Sequence, residues 1–202
     1  MTLVIRDVRD HDLDSVLALN NAAGPGILPI DMTRLHALCD VAAYFRVAEV
    51  DGHIGGFLIA LRPDADYDSP NFAWFKAHMA DFVYIDRIVV ARPYRGHGLG
   101  RVFYADVQGY AEVRSPVLTC EVFLDPRDDV SVLFHGTWGF REVGQQTLPS
   151  GHKVSLLSKE LCSFPWVKQT YLDGPTRQLP ALAWLAERAH RSGQPARVLA
   201  AS

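Results

Sequence analysis

The sequence has few of the features that mark secreted, metal-binding, membrane-spanning or nucleic-acid-binding proteins. Its three cysteines, Cys39, Cys120 and Cys162, are odd in number and widely spaced, which predicts neither a disulfide framework nor a zinc site. The net charge of −3 lacks the basic excess of nucleic-acid-binding domains. No apolar run approaches a membrane span, and the N-terminus does not resemble a signal peptide. We therefore expect a cytoplasmic protein that acts without metal, nucleic acid or membrane.

The apolar residues that are present recur at spacings that predict alternating strands and helices. Strands are predicted at 2–8, 43–50, 54–61, 82–91, 117–123, 140–146 and 153–161, and helices at 10–19, 31–39, 101–114 and 131–137. Asp51 and Gly52 are a hairpin signal between the second and third strands. Residues 62–81 are predicted to form a long connection, and loops of that length are often functional. A length of 202 residues suits one domain with an appendage.

The C-terminal part of the chain differs in composition from the rest. Pro165, Gly174, Pro175 and Pro180 interrupt it, and residues 179–191 then show the apolar spacing of an amphipathic helix. We predict a main domain over residues 1–161 and an extension over residues 162–202. The helix of the extension either packs on its own domain or joins two copies in a homodimer.

A glycine-rich stretch, residues 95–100, lies between a predicted strand and a predicted helix. Glycines let the backbone approach a ligand closely, and the first turn of a helix offers free N–H groups to a phosphate. The stretch lacks the Lys and Ser/Thr of a P-loop, and Arg101 stands where a dinucleotide loop has its third glycine. An ordinary glycine-rich turn stays open as an alternative at this point.

Two motifs, read together, resemble those of the GNAT superfamily of N-acetyltransferases. The first is Arg95-x-x-Gly98-x-Gly100 after Val90-x-x-Pro93. The second is a strand, Leu118-Thr119-Cys120-Glu121-Val122, followed by Asp128, Ser131, Phe134-His135 and Trp138-Gly139-Phe140. Within the superfamily the strand is most similar to that of the ribosomal-protein N-terminal acetyltransferases. The resemblance covers residues 3–161.

The resemblance implies an α/β fold in which a mixed, mostly antiparallel sheet with splayed parallel strands is flanked by helices. It also implies direct transfer of an acetyl group from acetyl-CoA to a primary amine in a ternary complex, and so an acyltransferase. The acceptor is a small-molecule amine or a protein amine. Two other functions stay open: a non-catalytic acyl-CoA sensor, and an interaction protein.

The same resemblance assigns a coenzyme site. The backbone of residues 88–90 pairs with the pantetheine arm, and the Val90 N–H donates to the thioester oxygen. Residues 95–101 bind the pyrophosphate, and three residues after the next strand complete the site. The coenzyme-binding residues are thus Ile88, Val89, Val90, Arg95, Gly96, His97, Gly98, Leu99, Gly100, Arg101, Asp128, Ser131 and Phe134. Asp128 is a departure, because the family often has Asn there.

Acetyl transfer to an amine needs a proton acceptor, because a lysine-like amine has a pKa near ~10.4 and is mostly protonated at pH 7. Glu121 is the first candidate, since it is the one charged residue of an apolar strand segment and burial would raise its pKa. Its alternative is a structural pair with Arg87 or Arg141. Asp86 is the second candidate, and alternation predicts that it shares the face of Ile88. Its alternative is a salt bridge to a neighbouring arginine.

His135 occupies the position at which many members of the superfamily have a tyrosine that protonates the coenzyme thiolate. An imidazolium can act as an acid near neutral pH, so His135 is a candidate for that role. Its alternative is to pack or to hydrogen-bond the coenzyme. Cys120 is not expected to carry an acetyl group, because alternation points it away from the face of Glu121.

Overall fold

The computed structural model describes residues 2–24 and 26–182, and within them seven strands form one sheet. The strands are β1 Leu3–Asp7, β2 Tyr44–Val50, β3 His53–Leu61, β4 Val83–Val90, β5 Val117–Asp125, β6 Arg141–Thr147 and β7 Lys153–Glu160. Their order is β1-β2-β3-β4-β5-β7-β6, and every neighbouring pair is antiparallel except β4 and β5, which are parallel. The predicted fold class is confirmed.

Helices cover both faces of the sheet. They are α1 Leu13–Asn21, α2 Met32–Val41, α3 Pro70–His78, α4 Leu99–Glu112, α5 Asp129–Thr137 and α6 Phe164–Val167. The first face of the sheet packs against α1, α2 and α3, and the second face packs against α4, α5 and α6. None of the described helices is long and apolar enough to cross a membrane.

Helix α3 lies within the segment that was predicted to be a connecting loop. Ser69 begins it by accepting a hydrogen bond from the Phe72 backbone N–H, and Pro70 occupies the first turn, where its missing N–H costs nothing. Phe72 and Phe75 are fully buried on the first face. The Ser-Pro pair is a helix-start signal that could have revealed α3, whereas nine residues are too few for clear periodicity.

The start of the predicted extension packs on the main domain. Phe164 and Val167 are buried, and Phe164 belongs to the cluster on the second face. The amphipathic helix predicted over residues 179–191 falls largely outside the described residues, and residues 179–182 have no regular secondary structure. The division into residues 1–161 and 162–202 stays a prediction.

Strand β4 has one extra residue within its ladder with β3. Ile59 lies opposite Arg87 and Ala60 lies opposite Ile85, so Asp86 is the extra residue of a β-bulge. Tyr84, before the bulge, and Val89, after it, both face the first side of the sheet. Ile88 faces the second side. The expectation that Asp86 shares the face of Ile88 is therefore wrong, because the bulge breaks the alternation between them.

Strands β4 and β5 diverge soon after they meet. Their parallel pairing is confined to Val83 opposite Leu118 and Tyr84 opposite Thr119, and Thr119 reinforces it with a 3.4 Å hydrogen bond to the Val83 carbonyl. Beyond these pairs β4 continues along β3 and β5 continues along β7. The divergence leaves a gap in the middle of the sheet, with β4 on one side and β5 on the other.

We predict that Gly56→Ala destabilises the fold, because a Cβ at this β3 position would lie 2.6 Å from the Val89 carbonyl oxygen. Overpacking of this kind costs ~1–3 kcal/mol. Gly109→Ala is the matched control, since a Cβ there would enter open space on α4 and should stabilise the helix by up to ~1 kcal/mol. Urea denaturation measures both, and equal effects of the same sign would contradict the packing of β3 on β4.

Candidate active site

The gap between β4 and β5 exposes hydrogen-bonding groups of the β4 backbone. The Ala91 N–H donates to the Gly55 carbonyl across the β3–β4 ladder, at 2.9 Å. Because antiparallel pairs alternate, the backbone groups of Ile88 and Val90 then point away from β3, into the gap. A ligand with an amide-bearing arm can pair with this edge as a further strand would.

The glycine-rich stretch closes one end of the gap and begins α4. Gly96 and Gly98 have φ values of +79° and +87°, which favour glycine, and a Cβ on either would enter open space. Gly98 is the N-cap of α4, so the N–H groups of Leu99 and Gly100 lie in the first turn, where no helical carbonyl precedes them. These open N–H groups and the positive end of the helix dipole are suited to bind an anion.

Arg95 and Asp128 connect the loops around the gap. The Arg95 guanidinium donates to the Val90 carbonyl at 2.9 Å and to the Ala23 carbonyl at 3.2 Å. Asp128 caps α5 by accepting from the Ser131 N–H at 3.0 Å. Arg95 thus holds the loop after α1 against the end of β4, and Asp128 and Ser131 shape the start of α5 beside it.

Two aromatic contacts join α5 to α4 on the second face. Phe134 packs edge-on against Tyr104, with ring centroids 4.8 Å apart, and lies next to Gly100, where a Cβ would be 3.6 Å from its ring. The other coenzyme residues predicted from the sequence, His97 and Arg101, lie on the exposed glycine-rich turn and the first turn of α4. The predicted coenzyme residues therefore lie on β4, on the turn that follows it, and at the starts of α4 and α5. We call the gap together with this turn the groove.

Glu121 is the carboxyl at the gap; the residue is half-buried, and its Oε2 is inaccessible to solvent. It lies on β5 and faces the first side of the sheet, whereas Cys120 is buried on the second side, as alternation predicts. Burial and, after it, the negative charge of Asp86 raise the pKa of Glu121 to about 8, and the nearby Tyr84 hydroxyl and Asn71 amide offset the rise only in part. In the part of the chain that the structure describes, neither Glu121 Oε2 nor Tyr84 Oη has a hydrogen-bond partner.

Both carboxylate oxygens of Asp86 bond to neighbouring side chains. One carboxylate oxygen accepts from Tyr67 Oη at 2.5 Å, and the other accepts from Arg87 Nε at 2.6 Å. Arg87 in turn donates to the side-chain oxygen of Asn20, a buried residue of α1, at 2.9 Å. Asp86 therefore forms a salt bridge with a neighbouring arginine, which was the alternative to a catalytic role. Arg87 pairs with Asp86 and not with Glu121.

The second arginine considered for Glu121 is also engaged elsewhere. Arg141 pairs with Glu160 at the outer end of the β6–β7 hairpin. Glu121 consequently has neither of the structural ion pairs that were its alternative. A buried carboxyl without a cation is costly, so it keeps its proton until the pH approaches its raised pKa.

His135 is buried between α4 and α5 with both ring nitrogens engaged. Nδ1 lies 2.7 Å from the Ser131 carbonyl oxygen and therefore carries the hydrogen, while Nε2 accepts from Tyr104 Oη at 2.5 Å. Burial lowers the pKa of His135, which favours the neutral ring. These contacts match the packing alternative, and an acid role would require His135 to give up Tyr104.

Sequence reasoning did not assign a role to Tyr84 and did not foresee the contacts that Tyr67 and Asn71 make. Asn71 is buried at the start of α3, beside Glu121, and its side-chain oxygen accepts from Gln146 of β6. The sequence could have indicated Tyr84, because it lies two positions before Asp86 on the strand that precedes the glycine-rich turn. The contacts of Asn71 join elements far apart in the sequence, and no local pattern encodes them.

Comparisons with known proteins agree with this geometry. The family model described as acetyltransferase (GNAT) family matches residues 13–140. No curated protein sequence matches the chain significantly.

Several solved structures share the fold. The ribosomal-protein-S18-alanine N-acetyltransferase from Escherichia coli is 14% identical with a TM-score of 0.62, covering 79% of this chain and 94% of that one. The ribosomal-protein-alanine N-acetyltransferase from Brucella melitensis is 22% identical with a TM-score of 0.60, covering 78% and 99%. Arabidopsis thaliana Naa50, in complex with the bisubstrate analogue CoA-Ac-MVNAL, is 16% identical with a TM-score of 0.56, covering 79% and 99%. At these identities the likeness concerns the fold.

The buried state of Glu121 predicts how stability depends on pH. A raised pKa means that the folded state holds this proton more tightly than the unfolded chain does. Between the ordinary value of 4.5 and about 8, the wild type should therefore lose stability as the pH rises. The loss should reach up to about 1.4 kcal/mol per pH unit.

The variant Glu121→Gln cannot titrate, so its free energy of unfolding should rise relative to the wild type over this pH interval. Urea denaturation at several pH values measures the difference. Glu160→Gln, at an exposed position of β7, is the control and should follow the wild type. Parallel curves for the wild type and Glu121→Gln would contradict a buried, protonated Glu121.

Proposed function

The chain belongs to the acetyltransferase (GNAT) family, whose members are acyltransferases, and we propose that it transfers an acetyl group from acetyl-CoA to a primary amine in a ternary complex. The observation that carries this proposal is the buried Glu121 carboxyl beside the gap between β4 and β5. The acceptor is a small-molecule amine or a protein amine. A cytoplasmic location and a dimer through residues 162–202 stay predictions from the sequence.

The groove suits coenzyme A in each of its parts. The edge of β4 at Ile88 and Val90 supplies backbone groups for the pantetheine amides, with Val89 between them. The open turn of residues 95–101 supplies N–H groups for the pyrophosphate. Phe134 lines the groove, and Asp128 and Ser131 hold the start of α5 against it. The Val90 N–H then lies where it can donate to the thioester oxygen as negative charge develops.

Glu121 is the general base of the proposed mechanism. It faces the gap from β5 without a cation of its own, and a pKa of about 8 suits proton transfer near neutral pH. Its ionised form removes a proton from the ammonium group, directly or through a water held with the Tyr84 hydroxyl. The neutral amine then attacks the thioester carbonyl, the C–N bond forms and the C–S bond breaks. Coenzyme A leaves as the thiolate, which takes up the second proton that the attacking nitrogen loses.

Asp86 and His135 have supporting roles in this proposal. Asp86 holds Arg87 away from Glu121 and raises the pKa of Glu121 through its charge. His135 joins α5 to α4 through Tyr104, and the proposal does not use it as a proton donor because both of its ring nitrogens are engaged.

The proposed coenzyme site gives one prediction. We expect acetyl-CoA to bind with micromolar affinity in calorimetry, and ATP and NAD to bind far more weakly. Gly98→Asp should weaken acetyl-CoA binding by about tenfold or more, because it puts a negative charge beside the pyrophosphate site. Gly52→Asp is the matched control, since Gly52 has a similar φ of +83°, against +87° for Gly98, but lies in the β2–β3 turn. Equal effects of the two variants, or a preference for ATP or NAD, would overturn the coenzyme assignment.

The proposed general base gives another prediction. Glu121→Gln should lower kcat by about a hundredfold or more while leaving acetyl-CoA affinity unchanged. Asp86→Asn should retain more activity, and the rising limb of its pH profile for kcat/KM should move to lower pH, because the charge of Asp86 raises the pKa of Glu121. Comparing the two profiles with one acceptor cancels the titration of the amine itself. If both variants transfer acetyl groups as the wild type does, neither carboxyl is the base.

A further inference from the structure

A segment between β3 and β4 crosses the first face of the sheet beside the proposed base. We call residues 67–74 the bridge. At its first end, Arg34 of α2 donates to the Asp68 carbonyl at 3.1 Å, and its guanidinium lies 4.8 Å from the centre of the Tyr67 ring. Tyr67 also reaches the bulge of β4 through its 2.5 Å hydrogen bond to Asp86. The bridge is thus fixed to α2 and to β4 before α3 begins.

The other end of the bridge is fixed to the edge strand β6. Gln146 donates to the side-chain oxygen of Asn71, and the indole of Trp74 lies directly on Gly144. The fit of Trp74 is close, since a Cβ at Gly144 would lie 2.7 Å from Cζ2 of the indole. The bridge therefore spans from α2 to β6, and Asn71 in its middle contacts Glu121.

The first face of the sheet beneath the bridge is packed with apolar side chains. Val154 and Leu156 of β7 are fully buried in the first-face cluster, to which Phe72 and Phe75 of α3 also belong. An acceptor with an extended chain would need a groove from Glu121 across β7 towards β6. Because Phe72 and Phe75 pack with β7 in that cluster, such a groove would have to displace side chains of α3.

The side of the site opposite the bridge is also held together by hydrogen bonds. Asn20 bonds Arg87 at 2.9 Å and donates to the Leu28 carbonyl at 3.2 Å, which joins α1 to the loop that follows it. The ion pair of Asp86 with Arg87 also leaves no net charge at this wall. A polycationic acceptor would find little attraction there beyond the base itself.

From these contacts we infer that the bridge limits the acceptor to a compact monoamine, of about the size of a single amino acid, rather than a protein N-terminus. The inference rests on the proposed function, because it concerns the acceptor of that reaction. The amine enters beside the diverging ends of β4 and β5, and its remaining atoms must fit between the bridge and α1.

The test uses acceptors that share one nucleophile. Alaninamide, and the dipeptide, tetrapeptide and hexapeptide amides that begin with alanine, all present the same α-amine. With the full-length wild-type chain and acetyl-CoA, kcat/KM should fall by at least about tenfold from alaninamide to the tetrapeptide amide. Equal or better use of the longer peptides would overturn the inference while leaving the proposed function intact. Acetyl transfer to none of them would overturn both.

Variants of the bridge give a second readout. Trp74→Ala should raise the ratio of hexapeptide to alaninamide kcat/KM several-fold, because it opens the end of the bridge at Gly144. Trp166→Ala removes an exposed indole from α6 and should leave the ratio unchanged. If Trp74→Ala does not fold, Gln146→Ala takes its place in the test. Gln146→Ala removes the hydrogen bond to Asn71 and leaves the buried apolar side chains unchanged. A ratio that stays constant in every folded bridge variant would contradict a role of the bridge in acceptor choice.

Discussion

The candidate site depends on the separation of β4 from β5, and β4 carries the extra residue Asp86 close to the point where that separation begins. Before the bulge the two strands share a short parallel ladder, and after it each strand follows its other neighbour. Backbone groups left unpaired inside a sheet cost ~1–3 kcal/mol each when they are buried. Here Arg95 satisfies the Val90 carbonyl, and the N–H groups beside it stay available for a ligand. The gap is thus a binding edge that the fold maintains.

The same bulge gives the two carboxyls of the site different roles. It turns Asp86 and Arg87 towards the first face together, where they form a salt bridge that Tyr67 and Asn20 complete. Had Arg87 been free to pair with Glu121, that carboxyl would stay ionised at any neutral pH and would be a weak base. Because Asp86 holds the guanidinium, Glu121 has no ion pair to offset its burial, and burial together with the charge of Asp86 raises its pKa to about 8. Environment, rather than residue type, separates the structural carboxylate from the proposed base.

Local sequence patterns could predict the order of strands and helices, because apolar spacing reports which face of each element is buried. They could also locate the glycine-rich turn and Glu121, since both stand out from their neighbours. They predicted the wrong face of the sheet for Asp86. Alternation assumes that successive residues always point to opposite faces, whereas a β-bulge inserts an extra residue without a sequence signal. They missed α3, whose short length hides its period, and with it the burial of Asn71. Contacts between elements that are distant in sequence decide those positions.

The polar groups on the first face of the sheet divide into a satisfied set and an unsatisfied one. Tyr67, Asp86, Arg87 and Asn20 bond one another, so their burial contributes to a single arrangement of α1, β4 and the bridge. Glu121 Oε2 and Tyr84 Oη lie next to that set and next to each other, and neither atom is bonded to it. The satisfied set therefore fixes the elements around this pair, beside the gap in which we propose that the transfer takes place.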